Sequence, residues 1–320
     1  MVDVAGVGLN AADTLIRIPQ FPALDSKLEY LSADIRPGGQ VASALVACRR
    51  WGLSVRYIGT VGDDDAAEMH WREFQGDGVE THLFTVAGCR SQRAYILIDQ
   101  KSGERTILWN RDARLTLKPG QTRREWIFHA RALLVDGHDT PAAAEAARWA
   151  HEAGIPVVAD VDNLYPGVEA LLENVDYLMA SRDFPARLLS GGDFFKTLPE
   201  LQRRYRSRVA GVTLGRDGAL AWDGSRFRYS PALRVETVDT TGAGDIFHGA
   251  FVYALLQKWP VDRILKFSCA AAGLNCTAVG AREGIRPLPE IIKAMDDGAR
   301  RPALFEQDEL DRQSEKCRRH

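Results

Sequence analysis

Apolar runs of four to eight residues alternate with segments of helical periodicity along most of this 320-residue chain. Val2–Leu9, Val55–Ile58, Ala132–Val135, Pro156–Ala159, Tyr177–Ala180 and Val209–Leu214 read as buried strands bounded by Gly, Pro or charged turns. Between them, Gln40–Trp51 carries Val41, Ala44, Leu45, Val46 and Cys48 at helical spacing and stops at Gly52, and Ala142–His151 is a second helix. Strands that alternate with helices are joined by crossovers. The pattern therefore predicts an α/β fold: a mostly parallel sheet flanked by helices on both faces.

Two regions break that rhythm. Lys27–Ile35 (KLEYLSADI) and Arg93–Asn110 (RAYILIDQKSGERTILWN) read as exposed antiparallel strands, the second region turning at Lys101–Gly103. With the segment around Ile16–Ile18 they predict a small β-sheet outside the main one, its strands within about residues 13–20, 27–36 and 91–111. Such a sheet has one apolar face to hide, so it caps a site or pairs with a second copy. The plain alternative is a surface hairpin without a role. Open α/β sheets bind ligands beyond the carboxyl ends of their strands, and lids close such crevices, which favours the lid. The last segment, residues 306–320, is charged along its length and reads as a solvated helix or loose tail after a domain of residues 1–305.

A net charge of −2 gives no bulk attraction to nucleic acid or anionic lipid. Five cysteines, at 48, 89, 269, 276 and 317, form no CxxC pair and no zinc spacing, which fits a reducing cytoplasm. The N-terminus lacks a basic region followed by an apolar stretch, so no signal peptide is expected, and no apolar run is long enough for a membrane span. The opening GVGLN suggests a dinucleotide site, but no glycine-rich helix start follows at the required spacing.

The stretch with the most chemistry is Thr237–Gly249, TVDTTGAGDIFHG, ahead of a predicted helix over Ile246–Leu256. A helix N-terminus offers unpaired N–H groups and a positive dipole end, and glycines let an anion approach the backbone. Asp245 is out of place beside a phosphate unless it takes a proton from an attacking hydroxyl while the amides hold the charge on the phosphoryl group. The competing reading is a helix-capping Asp after a glycine turn. His248, three residues on, reads as a packed or capping histidine.

DTTGAGD followed by FHGAF resembles the second signature of the ribokinase-like (PfkB) family of carbohydrate kinases. PGGQVASA, residues 37–44, resembles the first, and the likeness runs from VGLNAAD to CTAVGAREGI, nearly the whole chain. SGERTILWNRD and FSCAAAGLNCTAVG carry a narrower likeness to ketohexokinases and sulfofructose kinases. The resemblance implies ATP and Mg2+, with Asp245 as base and Gly242, Ala243 and Gly244 as anion hole. It implies sugar contacts from Asp13, Gly39, Gln40 and Ser43. Thr213, Gly215 and Gly218 would border the nucleotide phosphates, and Ala272, Asn275 and Cys276 would flank the adenine. A monovalent cation such as K+ would sit near Asp239, Thr241, Gly280 and Gly284.

Some residues depart from the family pattern. Gln40 and Ser43 stand where ketohexokinases have Asn, which weakens the case for simple ribose or fructose. The Asn-x-x-Glu motif is missing, its place taken by Ser181–Phe184, and Asp183 there reads as a solvated acid. Lys27 and Asn110 match a sulfonate site, but its arginine is replaced by Gly137, with Arg111 one possible substitute. Asp136–Asp139 lies at a strand's carboxyl end, a place for contact with the sugar or its supporting residues. The expected function is transfer of the ATP γ-phosphoryl group to a hydroxyl, preferably primary, of a small-molecule sugar. Alternatives are a nucleoside kinase, which a large aromatic such as Trp109 or Tyr95 near the lid would favour, and a sugar-binding regulator without turnover. An exposed lid edge also suggests a homodimer in which two lids pair.

Overall fold

The computed structural model describes residues 1–318. Its strands are β1 (Val2–Val7), β2 (Ala11–Ile18), β3 (Ser32–Gly38), β4 (Val55–Val61), β5 (Glu80–Thr85), β6 (Arg93–Asp99), β7 (Arg105–Asn110), β8 (Ala130–Asp136), β9 (Val157–Val161), β10 (Tyr177–Ser181), β11 (Val209–Thr213), β12 (Ala219–Trp222) and β13 (Phe227–Ser230). The helices are α1 (Gln40–Arg50), α2 (Asp65–Asp77), α3 (Arg124–Phe128), α4 (Thr140–Glu152), α5 (Val168–Leu172), α6 (Phe184–Leu189), α7 (Phe194–Tyr205), α8 (Ala243–Leu256), α9 (Val261–Asn275), α10 (Leu288–Asp297) and α11 (Gln307–Arg318).

Nine strands form the main sheet in the order β13-β12-β11-β10-β9-β8-β1-β4-β5. From β11 to β5 every pairing is parallel, as the alternation of strands and helices requires. The β12–β13 hairpin adds an antiparallel edge that the sequence pattern did not reveal. One face of the sheet packs against α1, α8 and α9 through Leu45, Phe251 and Phe267. The other packs against α4, α5 and α7, where Ala142, Ala143, Ala146 and Ala147 let α4 lie close to the strands.

The second sheet has the order β3-β2-β6-β7. Its existence and its β6–β7 hairpin match expectation, but two details differ. The pair at its centre, β2–β6, is parallel, with Asp13 opposite Ala94. The expected strand over 27–35 is shifted to Ser32–Gly38, because Pro19 and Pro22 remove backbone donors from the preceding segment and Asp25 turns it at φ 57°. Lys27 consequently lies in an exposed loop. The inner face of this sheet buries Leu15, Ala94, Ile96 and Ile98, with Val279 packed against them.

The charged C-terminal segment is not loose where it is described. α11 docks on β13: Leu310 is buried and the Ser314 hydroxyl accepts a hydrogen bond from the Phe227 amide at 2.9 Å.

Candidate active site

Two cavities meet beneath the second sheet. The first, about 280 Å3, lies at the carboxyl ends of the central strands and is roofed by the inner faces of β2, β6 and β7. The second, about 400 Å3, lies between the β11–β12 turn, the loop before α8, and α9. Arg105, Ser181, Thr213 and Gly244 line both, so these residues mark the junction.

The junction is the N-terminus of α8. Gly242 caps the helix with φ 75°, and a Cβ there would lie 2.5 Å from the Ala281 Cα. Only glycine fits that turn. The Ala243 amide donates to the Thr240 carbonyl at 3.2 Å. Among the described residues, the Gly244 and Asp245 amides have no acceptor, so they remain available to an anion. The expected anion hole therefore keeps Gly242 and Gly244 on the first cavity, while Ala243 lines the second. Asp239 holds the loop in place. Its fully buried carboxylate accepts from the Thr241 amide at 2.8 Å, the Thr241 hydroxyl at 2.7 Å and the Gly280 amide at 2.8 Å.

Asp245, on the first turn of α8, opens into the first cavity with no hydrogen-bond donor from the described residues. Burial, reinforced by Asp136 and Asp162, pushes its carboxyl up to about 7 against the opposing pull of Arg105 and Arg282. Asp13 points inward from β2 onto the same cavity, and burial with the charge of Asp245 raises it to about 7 as well. Gly38 is glycine for a local reason: a Cβ there would lie 1.9 Å from the Asp13 Oδ2. Gly39 and Gln40 complete this wall, as expected.

Other expected sugar contacts lie elsewhere. Ser43 is fully buried behind the wall, and its hydroxyl accepts from Arg282 Nε at 3.2 Å. Lys27 is exposed and lines neither cavity. On β7, alternation turns Arg105, Ile107 and Trp109 inward, so Asn110 faces outward, out of phase with the cavity. The same rule sends Tyr95 of β6 outward. Arg111 turns away and is held by Asp139 at 2.7 Å, the Leu115 carbonyl at 3.1 Å and Gln92 Oε1 at 3.3 Å. Asp136, pushed up to about 7 by burial, accepts from the Leu9 and His138 amides and supports the wall from behind.

In the second cavity, Thr213, Gly215, Gly218, Ala272 and Cys276 come together as expected. Asn275 does not join them. It is fully buried, and its Nδ2 donates to the carbonyls of Thr241 and Ala281, tying α9 to the loop before α8. Gly284 packs against it, since a Cβ at 284 would lie 2.1 Å from the Asn275 carbonyl oxygen.

Three further residues, Arg105, Arg282 and Tyr165, have roles that the linear pattern did not expose, while His138 falls in the Asp136–Asp139 stretch singled out for contact with the sugar or its supporting residues. Arg105 crosses from the lid hairpin to donate to the Thr240 hydroxyl at 2.8 Å, which places a cation at the junction. Arg282, fully buried, donates to Ser43 and to the Gly38 carbonyl and lies over the Phe74 ring. His138 and Tyr165 line the first cavity with Trp109. Arg105 and Arg282 come from segments distant in sequence from the residues they hold, so no local spacing announces them. His248 is a packed histidine, as expected. Its Nδ1 faces the Gly244 carbonyl at 2.7 Å and Asp160 Oδ2 at 3.1 Å, and its Nε2 faces the Met179 carbonyl at 2.8 Å. Burial pulls the ring toward neutrality. Burial likewise pushes the Asp160 carboxyl well above its usual range, so the ring and the acid form a buried polar pair beneath the start of α8.

An unpaired carboxylate facing free helix-start amides, between a polar cavity and a second elongated one, is the layout of an enzyme that passes an anionic group from one bound molecule to the hydroxyl of another. Comparison with known proteins gives the family. The model of the pfkB family carbohydrate kinases matches residues 10–287, and the chain belongs to that family. A ribokinase of Haemophilus influenzae is 27% identical over 299 residues, covering 91% of this chain and 97% of its own. A 2-dehydro-3-deoxygalactonokinase of Haloferax volcanii is 28% identical over 309 residues, covering 89% and 96%. Among solved structures, a putative ribokinase from Agrobacterium tumefaciens superposes with a TM-score of 0.85 at 30% identity, covering 92% of this chain and 97% of its own. The chain is thus an ATP-dependent sugar kinase, a phosphotransferase with an alcohol group as acceptor, and ATP with Mg2+ is consistent with the family.

Among the described residues no cluster of three or more His, Cys, Asp or Glu forms a metal cage. No helix among the described residues is long and apolar enough to cross a membrane.

Proposed function

We propose that the first cavity holds the sugar and the second the nucleotide, and that Asp245 removes the proton from the acceptor hydroxyl as it attacks the γ-phosphoryl group of ATP. The observation that carries this reading is the junction itself. Among the described residues Asp245 has no protein donor and the Gly244 and Asp245 amides have no acceptor, and Gly244 borders both cavities. The amides and Arg105 would hold the charge that develops on the transferring group. Bound Mg2+ would supply charge neutralisation on the nucleotide phosphates. A primary hydroxyl fits best, since it reaches furthest from a ring held by Asp13 and Gln40. Asp245→Asn should retain ATP and sugar binding and lose at least roughly 10^3-fold in kcat. Near-normal turnover in that variant, read as ADP release, overturns the assignment.

A second acceptor class has one observation in its favour. Trp109 stands on the cavity wall with His138 at a ring separation of 6.1 Å, an aromatic surface suited to the base of a riboside. A riboside that outcompetes free ribose or ketoses for the first cavity would establish it.

Three finer features belong to the same proposal. Asp239 is a fully buried carboxylate without a cationic side chain in contact, a charge that a monovalent cation such as K+ would balance beside Thr241 and Gly280. Stabilisation by K+ over Na+ in a melting experiment would support it, independent of turnover. All five cysteines are free, in keeping with a cytoplasmic location. The outer lid face, with Ile35, Tyr95 and Leu108 each more than half exposed, is suited to pairing with a second copy.

A further inference from the structure

Three carboxyl groups, Asp13, Asp162 and Asp245, and the amide groups of Gln40, Gln92 and Asn163 make up most of the polar wall at the sugar end of the first cavity. Asp13 and Asp245 have no donor from the described residues. Gln40 Oε1 is buried and unpartnered. Asp162 has one donor, the Tyr165 hydroxyl at 3.0 Å. That hydroxyl is itself 3.0 Å from His138 Nε2, so a chain of hydrogen bonds from His138 through Tyr165 holds the Asp162 carboxylate on the cavity wall.

Among the described residues Arg105 is the one Arg or Lys that lines the first cavity, and it stands at the junction with the second; the other cations near the sugar end are committed elsewhere. Arg111 is locked to Asp139. Lys27 is in an exposed loop. Arg105 is bound to Thr240 at the nucleotide side. Arg282 is buried behind Ser43 and Gly38. A side chain at position 137 is also precluded, because a Cβ there would lie 2.3 Å from the Tyr165 ring.

Resting on the reading of the first cavity as the acceptor site, we infer that the acceptor is an uncharged polyol, a neutral sugar or glycoside, whose hydroxyls donate to Asp13, Gln40 and Asp162 and whose apolar face lies against Trp109. The same arrangement excludes aldonates, keto-deoxy acids and sugar phosphates. Such ligands bring acceptors and negative charge to a wall of carboxylates whose one arginine, Arg105, is held by Thr240 at the junction. Asp162 is then a residue that determines specificity on the same wall, together with Asp13. An anionic ligand would face Asp162 and Asp13 together, and a donor-rich ligand would satisfy both.

The test separates this inference from the assignment of the reaction. Matched pairs of a neutral sugar and its phosphorylated or carboxylated analogue are offered to the Asp245→Asn protein with ATP and Mg2+, and binding is read by thermal shift and titration calorimetry. ADP release by the unaltered enzyme is read on the same panel. The expected result is that neutral members bind and anionic partners bind at least roughly 100-fold more weakly. Asp162→Asn should weaken the neutral ligand by roughly tenfold, a single lost charged hydrogen bond, and narrow the gap to its anionic partner. Preference for an anionic member overturns the inference while leaving the kinase intact, as does a failure of any neutral polyol to bind. Binding of neutral members without ADP release from the unaltered enzyme instead overturns the reaction assignment and leaves the inference standing.

Discussion

Asp245 is held in conflict between solvation and function. The folded chain buries its carboxyl and raises it to about 7, well above its value in the unfolded chain. The stability it contributes is therefore complete below about pH 4 and is lost as pH rises through 7, where ionisation charges a buried, undonated group. Two outcomes follow at this scale. kcat/KM should rise through an inflection near pH 7 as the base ionises. Asp245→Asn should melt higher than the unaltered protein at pH 8 and equally at pH 4, although it has lost activity. A variant that melts lower at pH 8 would mean that the carboxylate is stabilised by contacts absent from this arrangement. Arg282 tunes the same group. Its guanidinium lowers the carboxyls of both Asp245 and Asp13, so Arg282→Met should move the inflection to higher pH, and an unmoved profile would assign Arg282 to packing alone. The motif residues Asp245, Gly242 and Gly244 were legible because one short stretch carries both the helix start and the acid. Arg282 and Arg105 were not, since their partners lie far away in sequence. Ser43 was misjudged because nothing in its neighbourhood reveals that Arg282 takes its hydroxyl.

At the scale of elements, two periodicities decide which side chains meet the ligand. On β7 a period of two admits Trp109 and rejects Asn110, and on β6 it admits Ala94 and Ile96 and rejects Tyr95. The strands themselves were evident from their apolar and aromatic composition. Their phase was not, since both faces carry apolar residues and the alternation that usually reports burial is blurred. α8 depends instead on its first residues. Gly242 combines a left-handed backbone with a close approach to Ala281, so Gly242→Ala must move the loop that carries Gly280 and Arg282. A loss on the order of 1–3 kcal/mol in stability is expected, with a larger fall in kcat than in sugar affinity. Gly244→Ala provides the comparison, because a Cβ there meets nothing within 4 Å and φ is not positive. Equal stability losses in the two variants would contradict the argument from backbone conformation. α9 illustrates the limit of periodicity. Asn275 and Cys276 are adjacent at its end, yet Asn275 turns into the loop and Cys276 toward the second cavity.

The whole molecule leaves one apolar surface unaccounted for. Leu108, Tyr95, Thr14 and Ile35 form a single cross-strand row over four strands, because β7 pairs Leu108 with Tyr95, β6 pairs Tyr95 with Thr14, and β2 pairs Thr14 with Ile35. Its large members are exposed, while the opposite face of the same sheet covers the first cavity. A thin sheet with ligand on one side and water against apolar side chains on the other gains from a partner on that second side. The lid tip meanwhile touches the loop before α8, where the Gly103 carbonyl accepts from the Thr240 amide at 3.2 Å and Arg105 from the same hairpin reaches the Thr240 hydroxyl. Contacts on the outer face and chemistry at the junction are thus joined by one hairpin. Tyr95→Asp combined with Leu108→Asp should convert a dimer to a monomer at micromolar concentration by light scattering. If pairing steadies the hairpin that positions Arg105, the same variant should also raise the KM for the acceptor by several-fold while leaving ATP binding nearly unchanged. A dimer that survives both substitutions would place the interface elsewhere, and a monomer with unaltered kinetics would leave the lid to close without help from a second copy.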